Sequence, residues 1–218
     1  MSTNNLIRLS GISLILAGLF LTSGNIIHPS NETPQTIIAL ETRLITGHWL
    51  LTFFSIFFLL GLPGVYASHA SNFGRLGLLS YIFLFFGTIF YAVSSDYGFI
   101  APVLARLAPQ TLNAINAYPS IVIMDSLFVL LLLLGFMLFG ITILRSGTFS
   151  SWSGIFIIIG WPIYMIASAI ALLVYQPMWY MAILGALLLS LGLGGVGYQL
   201  WTGKRATQLL HLDLGTDI

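Results

Sequence analysis

Charged residues are scarce in this chain. Lys and Arg together number 7 and Asp and Glu 6, so charged residues make up 6% of the 218 residues, whereas soluble domains contain about 25%. So few charges cannot cover the surface of a water-soluble monomer, and that class is excluded. A nucleic-acid partner is excluded because no basic patch can form. Intrinsic disorder is excluded because 58% of the residues are hydrophobic.

Cysteine is absent altogether. This absence excludes a disulfide framework, a cysteine nucleophile and a thiolate metal site. The sequence also lacks a G-x-S-x-G elbow, a paired-histidine zinc motif, a P-loop and a dinucleotide fingerprint. These absences favour a non-catalytic role, and the composition predicts a polytopic membrane protein.

Charge-free apolar stretches divide the chain, and each is long enough to cross a hydrocarbon core of about 30 Å. The longest stretch, 146–203, is interrupted at Tyr175-Gln176-Pro177, where a turn is predicted. The sequence therefore predicts an all-α polytopic helix bundle, with one transmembrane domain over 1–201 and a short cytoplasmic tail over 202–218. Its six transmembrane helices are predicted at 8–28, 44–66, 76–96, 120–144, 153–174 and 179–201.

The basic residues are distributed unequally between the two predicted sides of the membrane. Six spans place both termini on one side, together with Arg8, Arg75, Arg145, Lys204 and Arg205. The other side has only Arg43 and Arg106. Because basic residues are retained on the cytoplasmic side, both termini are predicted to be cytoplasmic.

Two predicted outer connections contain helix signals. Thr33 and Pro34 are typical of an N-cap followed by the first helical residue, so a helix is predicted to begin there and continue through His48. The second connection, 97–118, repeats Ile100, Val103, Leu104 and Leu107 at helical spacing and is divided by Pro102 and Pro109. It is predicted to be a short amphipathic helix lying in the interface as a lid; an ordinary connecting helix is the alternative.

The sixth predicted span has a small residue at every fourth position. Ala182, Ala186, Ser190 and Gly194 form this stripe. Small side chains let two helix backbones approach closely. The stripe therefore predicts a helix–helix contact, either within the chain or with a second copy.

Four polar residues from different spans are predicted to lie in one layer near the outer interface. His28, His48, Asp96 and Asp125 each lie about 27–32 Å from the inner end of their helix, at ~1.5 Å per residue. Glu41 shares the helix face of His48, and Asn25 lies one turn from His28. A short loop is predicted to bring His28 and His48 close together. Asp96 is predicted to pair with Arg43, Arg106 or a histidine, because an anion is unfavourable at a helix C-terminus.

This layer is open to several interpretations. It is either a hydrogen-bonded membrane boundary or a site, since ionisable residues within spans are functional candidates. The first functional hypothesis is a non-catalytic subunit or a lipid- or small-ligand-binding protein, with membrane lipid, other membrane subunits or a second copy as partners. The alternatives are a haem- or chlorophyll-type pigment protein with His28 and His48 as axial ligands, an intramembrane enzyme with zinc held by His28, His48, Asp96 and Asp125, and a small transporter.

Overall fold

The computed structural model describes residues 3–116, 118–173 and 176–203, and these residues are helical with no strand among them. The predicted all-α class is confirmed for this part of the chain. The predicted tail lies outside the described residues beyond Gly203. In chain order the elements are α1 Thr3–Ile27, α2 Pro34–Ala39, α3 Glu41–Ser95, α4 Tyr97–Leu107, α5 Gln110–Asn116, α6 Pro119–Ser146, α7 Ser151–Leu173, a 3₁₀ turn at Gln176–Met178, and α8 Trp179–Thr202.

Five helical stretches within the described residues are long and apolar enough to cross a membrane. This observation supports the predicted integral membrane protein. The predicted second and third spans do not form separate stretches, because both lie within one continuous stretch from residue 41 to 107. The stretches are Asn4–Ile27, Glu41–Leu107, Pro119–Ser146, Ser151–Ala171 and Gln176–Thr202.

The long helix α3 folds back on itself. Its backbone leaves the helical region at His69 and at Gly74, where φ is +56° and ψ is −153°, a conformation that suits glycine. The ring centroids of Tyr66 and Tyr81 are 5.3 Å apart, and those of Phe54 and Tyr91 are 5.9 Å apart. These contacts show that the first arm of α3 (41–68) and its second arm (75–95) pack antiparallel.

The helices form a closed ring around an aromatic core. Contacts join α1 to α3, α3 to α6, α6 to α7, α7 to α8, and α8 back to α1. Phe58, Phe136 and Trp161 are fully buried inside the ring, with ring centroids 5.5 Å apart for the first pair and 4.9 Å for the second. The two arms of α3 and the helices around them thus enclose one common core.

The first half of the small-residue stripe of α8 is buried, and the stripe contacts α1, which agrees with the predicted helix–helix contact. Ala182 and Ala186 are 0% exposed, and the Ser190 hydroxyl donates to the Gly18 carbonyl of α1 at 2.7 Å. The prediction is wrong for Gly194, because a Cβ built there meets no atom within 4 Å. Since 3.6 residues complete a helical turn, a four-residue repeat drifts around the helix, and Gly194 has left the contact face.

Neighbouring glycines, which the stripe does not include, bring α8 against α7. A Cβ at Gly160 would lie 2.9 Å from the Gly185 carbonyl oxygen, and one at Gly185 would lie 2.8 Å from that of Gly160. Both distances are too short for a real Cβ contact. The pair therefore allows the two backbones to approach more closely than any larger residue would permit.

The two connections at the histidine end of the ring, the end where His28 and His48 lie, form a cap. The Thr33 hydroxyl accepts from the Thr36 amide as the predicted N-cap. The helix it starts ends at Ala39, however, and Leu40 interrupts it before α3, so the prediction of one helix through His48 is wrong. Pro109 separates α4 from α5 as predicted, whereas Pro102 lies inside α4 without ending it.

Helix α4 turns its small residues inward. Ala101 and Ala105 pack with Ile37, Leu44 and Leu112 in a second apolar core. The larger apolar residues of the predicted amphipathic helix point outward, and Ile100, Val103 and Leu107 are 54%, 53% and 80% exposed. This arrangement suits a helix that lies against the bundle and presents an apolar face to the membrane interface.

Candidate functional site

The two histidines are in direct contact, as predicted. His28 follows α1 directly, where its amide still bonds to the Gly24 carbonyl at 2.9 Å, and His48 lies two turns into α3. The two Nε2 atoms are 3.2 Å apart, and the residues are only 6% and 9% exposed. Gly47 permits this approach, because a Cβ there would already lie 3.2 Å from the His28 Cα.

The hydrogen bonds of the neutral pair determine its tautomers. His28 Nδ1 lies 2.7 Å from the Pro29 carbonyl oxygen, which can only accept, so Nδ1 carries the proton. His28 Nε2 is then an acceptor, and His48 Nε2 donates to it. His48 Nδ1 is the remaining ring nitrogen of the pair and is buried, and the Ser95 backbone lies beside the same ring as a hydrogen-bond partner.

The pair forms part of the wall of a cavity of about 330 Å³. We call this cavity the histidine chamber. Its volume falls in the range of small-molecule sites, about 300–1,000 Å³. It is lined by Asn25, His28, Glu32, His48, Leu51, Tyr91, Ser94, Ser95, Tyr97, Asp125, Phe128, Tyr164, Met165, Ser168 and Trp179.

Asp125 and Asn25, both predicted as site residues, line the histidine chamber. The Ser94 hydroxyl donates to Asp125 Oδ1 at 2.7 Å. Asn25 is 1% exposed, and its Nδ2 donates to the Leu21 carbonyl at 2.8 Å. A side-chain hydrogen bond also joins Asn25 to the Tyr164 hydroxyl. The depth estimate therefore identified residues that the fold does bring together.

Asp96 does not join this group, and its predicted ion pair is wrong. It is exposed, and none of the described cations lies within ion-pair distance of it. The reason is that Asp96 is the C-cap of α3 and the N-cap of α4 at once, because α4 begins at the next residue. Its carboxylate therefore also lies at a helix N-terminus, where an anion is favourable.

Glu41 is also outside the chamber. Although it precedes His48 by two turns, its carboxylate pairs with Arg106 of α4. This ion pair links the start of α3 to the end of α4. Arg43, the third partner considered for Asp96, instead donates its Nε to the Ile27 carbonyl at 3.1 Å.

Helix α4 closes over the histidine pair at Gly98. A Cβ built on Gly98 would overlap the imidazole of His48. Phe99 lies beside the same ring, with centroids 6.1 Å apart. The predicted lid segment thus contacts His48 directly, and its closest approach requires glycine.

The residues present do not fit the metal and pigment hypotheses well. Within the described residues, no group of three or more His, Asp or Glu side chains is placed to hold a metal ion. The zinc set is incomplete because Asp96 is exposed outside the chamber. Two opposite axial nitrogens each lie about 2 Å from the metal and so about 4 Å from each other, whereas the two Nε2 atoms are 3.2 Å apart. The pair as it stands therefore leaves too little space for a macrocycle between the two rings.

Several lining residues were not identified from the sequence. Glu32 lies 3.7 Å from His28 Nε2 through its Oε1, and Trp179 packs on the His28 ring with centroids 5.7 Å apart. Tyr91 and Ser95 lie one turn apart on α3, as Tyr164 and Ser168 do on α7. This i, i+4 spacing of polar groups within apolar spans was the available signal.

No protein-family model, curated protein or solved structure matches this chain. Its function is therefore argued from the chamber.

Proposed function

We propose that this protein is a non-catalytic integral membrane protein that binds a small polar ligand in the histidine chamber. One observation carries the proposal: the buried His28–His48 pair forms part of the wall of a cavity of about 330 Å³, which Asn25 and Asp125 also line. A small polar ligand in that cavity would meet several convergent polar groups.

A further polar residue of the wall supports the same proposal. Ser168 of α7 lines the same cavity, and its buried hydroxyl has no partner among the described groups. A boundary layer that only meets water at the membrane surface has no need of such buried groups. The chamber instead has the character of a concave site with a few convergent polar atoms.

The proposal is tested by asking whether a ligand stays with the protein. The full chain extracted from its own membrane in mild detergent should carry a small molecule that native mass spectrometry detects. His48→Ala should lose it, because it removes one of the two histidines that form this part of the chamber wall. His69→Ala is the matched control, since His69 lies at the opposite end of the bundle, where its Nδ1 bonds to the Ser68 hydroxyl at 2.7 Å.

Equal retention of the small molecule in both variants would contradict the proposal. It would favour the alternative interpretation, in which the polar layer is only a hydrogen-bonded membrane boundary. The same preparation distinguishes the alternatives. Stoichiometric zinc would favour the metal-dependent enzyme. A visible absorption band would favour a haem or chlorophyll-type pigment, with each histidine binding separately.

We also propose six membrane crossings with both termini cytoplasmic. The antiparallel arms of α3 support this count: the stretch of 67 residues would extend about 100 Å as one straight helix, over three times the hydrocarbon core of about 30 Å. Arg75 directly follows the chain reversal at Gly74, and Arg145 lies at the end of α6, just before the chain turns into α7. Both arginines are therefore at the same end of the bundle. The positive-inside rule favours a cytoplasmic location for that end.

Reporter fusions test this topology. A reporter placed after Asn72 or after Ser150 should be cytoplasmic, and one placed after Gln110 should be external. The reverse pattern would overturn the orientation. A cytoplasmic result at all three positions would overturn the number of crossings.

A further inference from the structure

We infer that the ligand of the histidine chamber is a small organic cation, an amine or a quaternary ammonium. This inference rests on the proposed function and adds the chemical class of the ligand. It is carried by three features of the wall: the sign of its charges, its hydrogen-bonding groups and its aromatic rings.

The charged groups of the chamber are of one sign when the histidines are neutral. Glu32 and Asp125 both line it, and none of the described lining residues is Lys or Arg. The nearest basic residues are engaged elsewhere, because Arg106 pairs with Glu41 and Arg43 lines a separate groove on the far side of His28 and Trp179. The two carboxylates therefore have no fixed cation in the chamber.

Only one of these carboxylates receives a hydrogen bond from a hydroxyl. Ser94 donates to Oδ1 of Asp125, which leaves Oδ2 without a described donor. Glu32 Oε1 lies 3.7 Å from His28 Nε2, but that nitrogen accepts from His48 in the neutral pair. An anionic group held partly out of water is costly unless a cation or strong donors compensate it.

The two carboxylates of the wall can only accept hydrogen bonds when they are ionised. An anionic ligand, such as a phosphate or a carboxylate, would face Glu32 and Asp125 without a donor of its own. A ligand that carries N–H groups or a spread positive charge meets them favourably.

Aromatic rings complete the wall. Tyr91, Phe128, Tyr164 and Trp179 line the chamber, and the Tyr91 and Phe128 ring centroids are 5.5 Å apart in an edge-to-face arrangement. The face of an aromatic ring attracts a cation, most strongly when water is excluded. Carboxylates beside aromatic rings form the kind of surface that recognises ammonium groups.

The inference is tested with two pairs of probes that differ in charge and little in shape. Choline is paired with 3,3-dimethyl-1-butanol, in which carbon replaces the nitrogen, and n-butylammonium is paired with n-butanol. Binding to the full chain in detergent is followed by ligand-observed NMR, with empty micelles as the blank. In at least one pair, the cation should bind about tenfold more tightly than its neutral partner.

The carboxylate variants locate the site. Asp125→Asn keeps the size of the side chain and should weaken cation binding about tenfold, as expected for loss of a charged partner. Asp96→Asn is the matched control, because Asp96 is exposed and outside the chamber, and it should bind as the unaltered protein does. Both variants should retain the melting temperature of the unaltered protein, which shows that each is folded.

The possible failures separate this inference from the proposed function. If neither cation binds better than its neutral partner, the cationic class is wrong, whether or not the neutral probes bind. If Asp96→Asn weakens the binding as much as Asp125→Asn, the cation does not sit in the chamber and the inference is also wrong. In either case the small molecule retained through His48 still tests the proposed function independently.

Discussion

A Gly98→Ala variant should lose the histidine pair and the ligand that it holds. The added methyl group would overlap the Cδ2, Nε2 and Cγ atoms of the His48 imidazole, so the ring cannot keep its present position beside α4. Either α4 lifts from the bundle or His48 moves away from His28. Overpacking of this kind costs about 1–3 kcal/mol, and native mass spectrometry should show no retained ligand.

Helix propensity makes this result diagnostic. Alanine favours a helix over glycine by about 1 kcal/mol, so α4 itself would gain from the substitution, and any loss reflects the contact with His48. Gly194→Ala is the matched control, since a Cβ there meets no atom within 4 Å. It should keep both the ligand and the melting temperature. A Gly98→Ala protein that retains its ligand would show that α4 does not cap the chamber.

Counting residues along helices was enough to find the centre of the chamber. His28, His48 and Asp125 lie at similar distances from the inner ends of their spans, and the depth of a residue depends only on the rise per residue. A short connection between α1 and α3 then places the two histidines on neighbouring helices. These are local properties, which the sequence alone contains.

The lateral order of the helices was not predictable in this way. Tyr164 and Ser168 reach the chamber because α7 packs between α6 and α8, and Trp179 reaches His28 because α8 returns to α1. The order is set by close approaches such as Gly160 against Gly185 and Gly11 against Gly197. Twenty-two glycines in the chain offer many such contacts, and no single sequence shows which of them pair.

The error at Asp96 has a specific physical cause. The charge boundary at Asp96 was interpreted as the end of a helix, and the unfavourable helix dipole then required a cationic partner. The chain instead continues from α3 into α4 with only one residue between them. Arg106, one of the partners considered for Asp96, pairs with Glu41. Helical spacing does not predict this contact, because the two residues are far apart in the sequence.

Because α8 is packed between α1 and α7, a larger side chain on its buried face should strongly lower the stability of the protein. Ala186→Leu should lower the melting temperature in detergent by about 5 °C or more, because Ala186 is 0% exposed and three added carbons have no space in a packed interface. One turn farther along, Ser190 bonds to the Gly18 carbonyl at 2.7 Å. A wider spacing between α1 and α8 would break that bond as well, so the two losses should combine.

The matched control for Ala186→Leu is Ala169→Leu on α7, where the same substitution is made at an exposed position. Leucine there meets lipid or detergent and should leave the melting temperature unchanged, because none of the described helices packs on that face. Differential scanning fluorimetry and size-exclusion chromatography measure both variants together. The expectation is contradicted if Ala186→Leu has the same melting temperature as the unaltered protein or changes only the oligomeric state. In that case this face of α8 contacts a second copy and not α1.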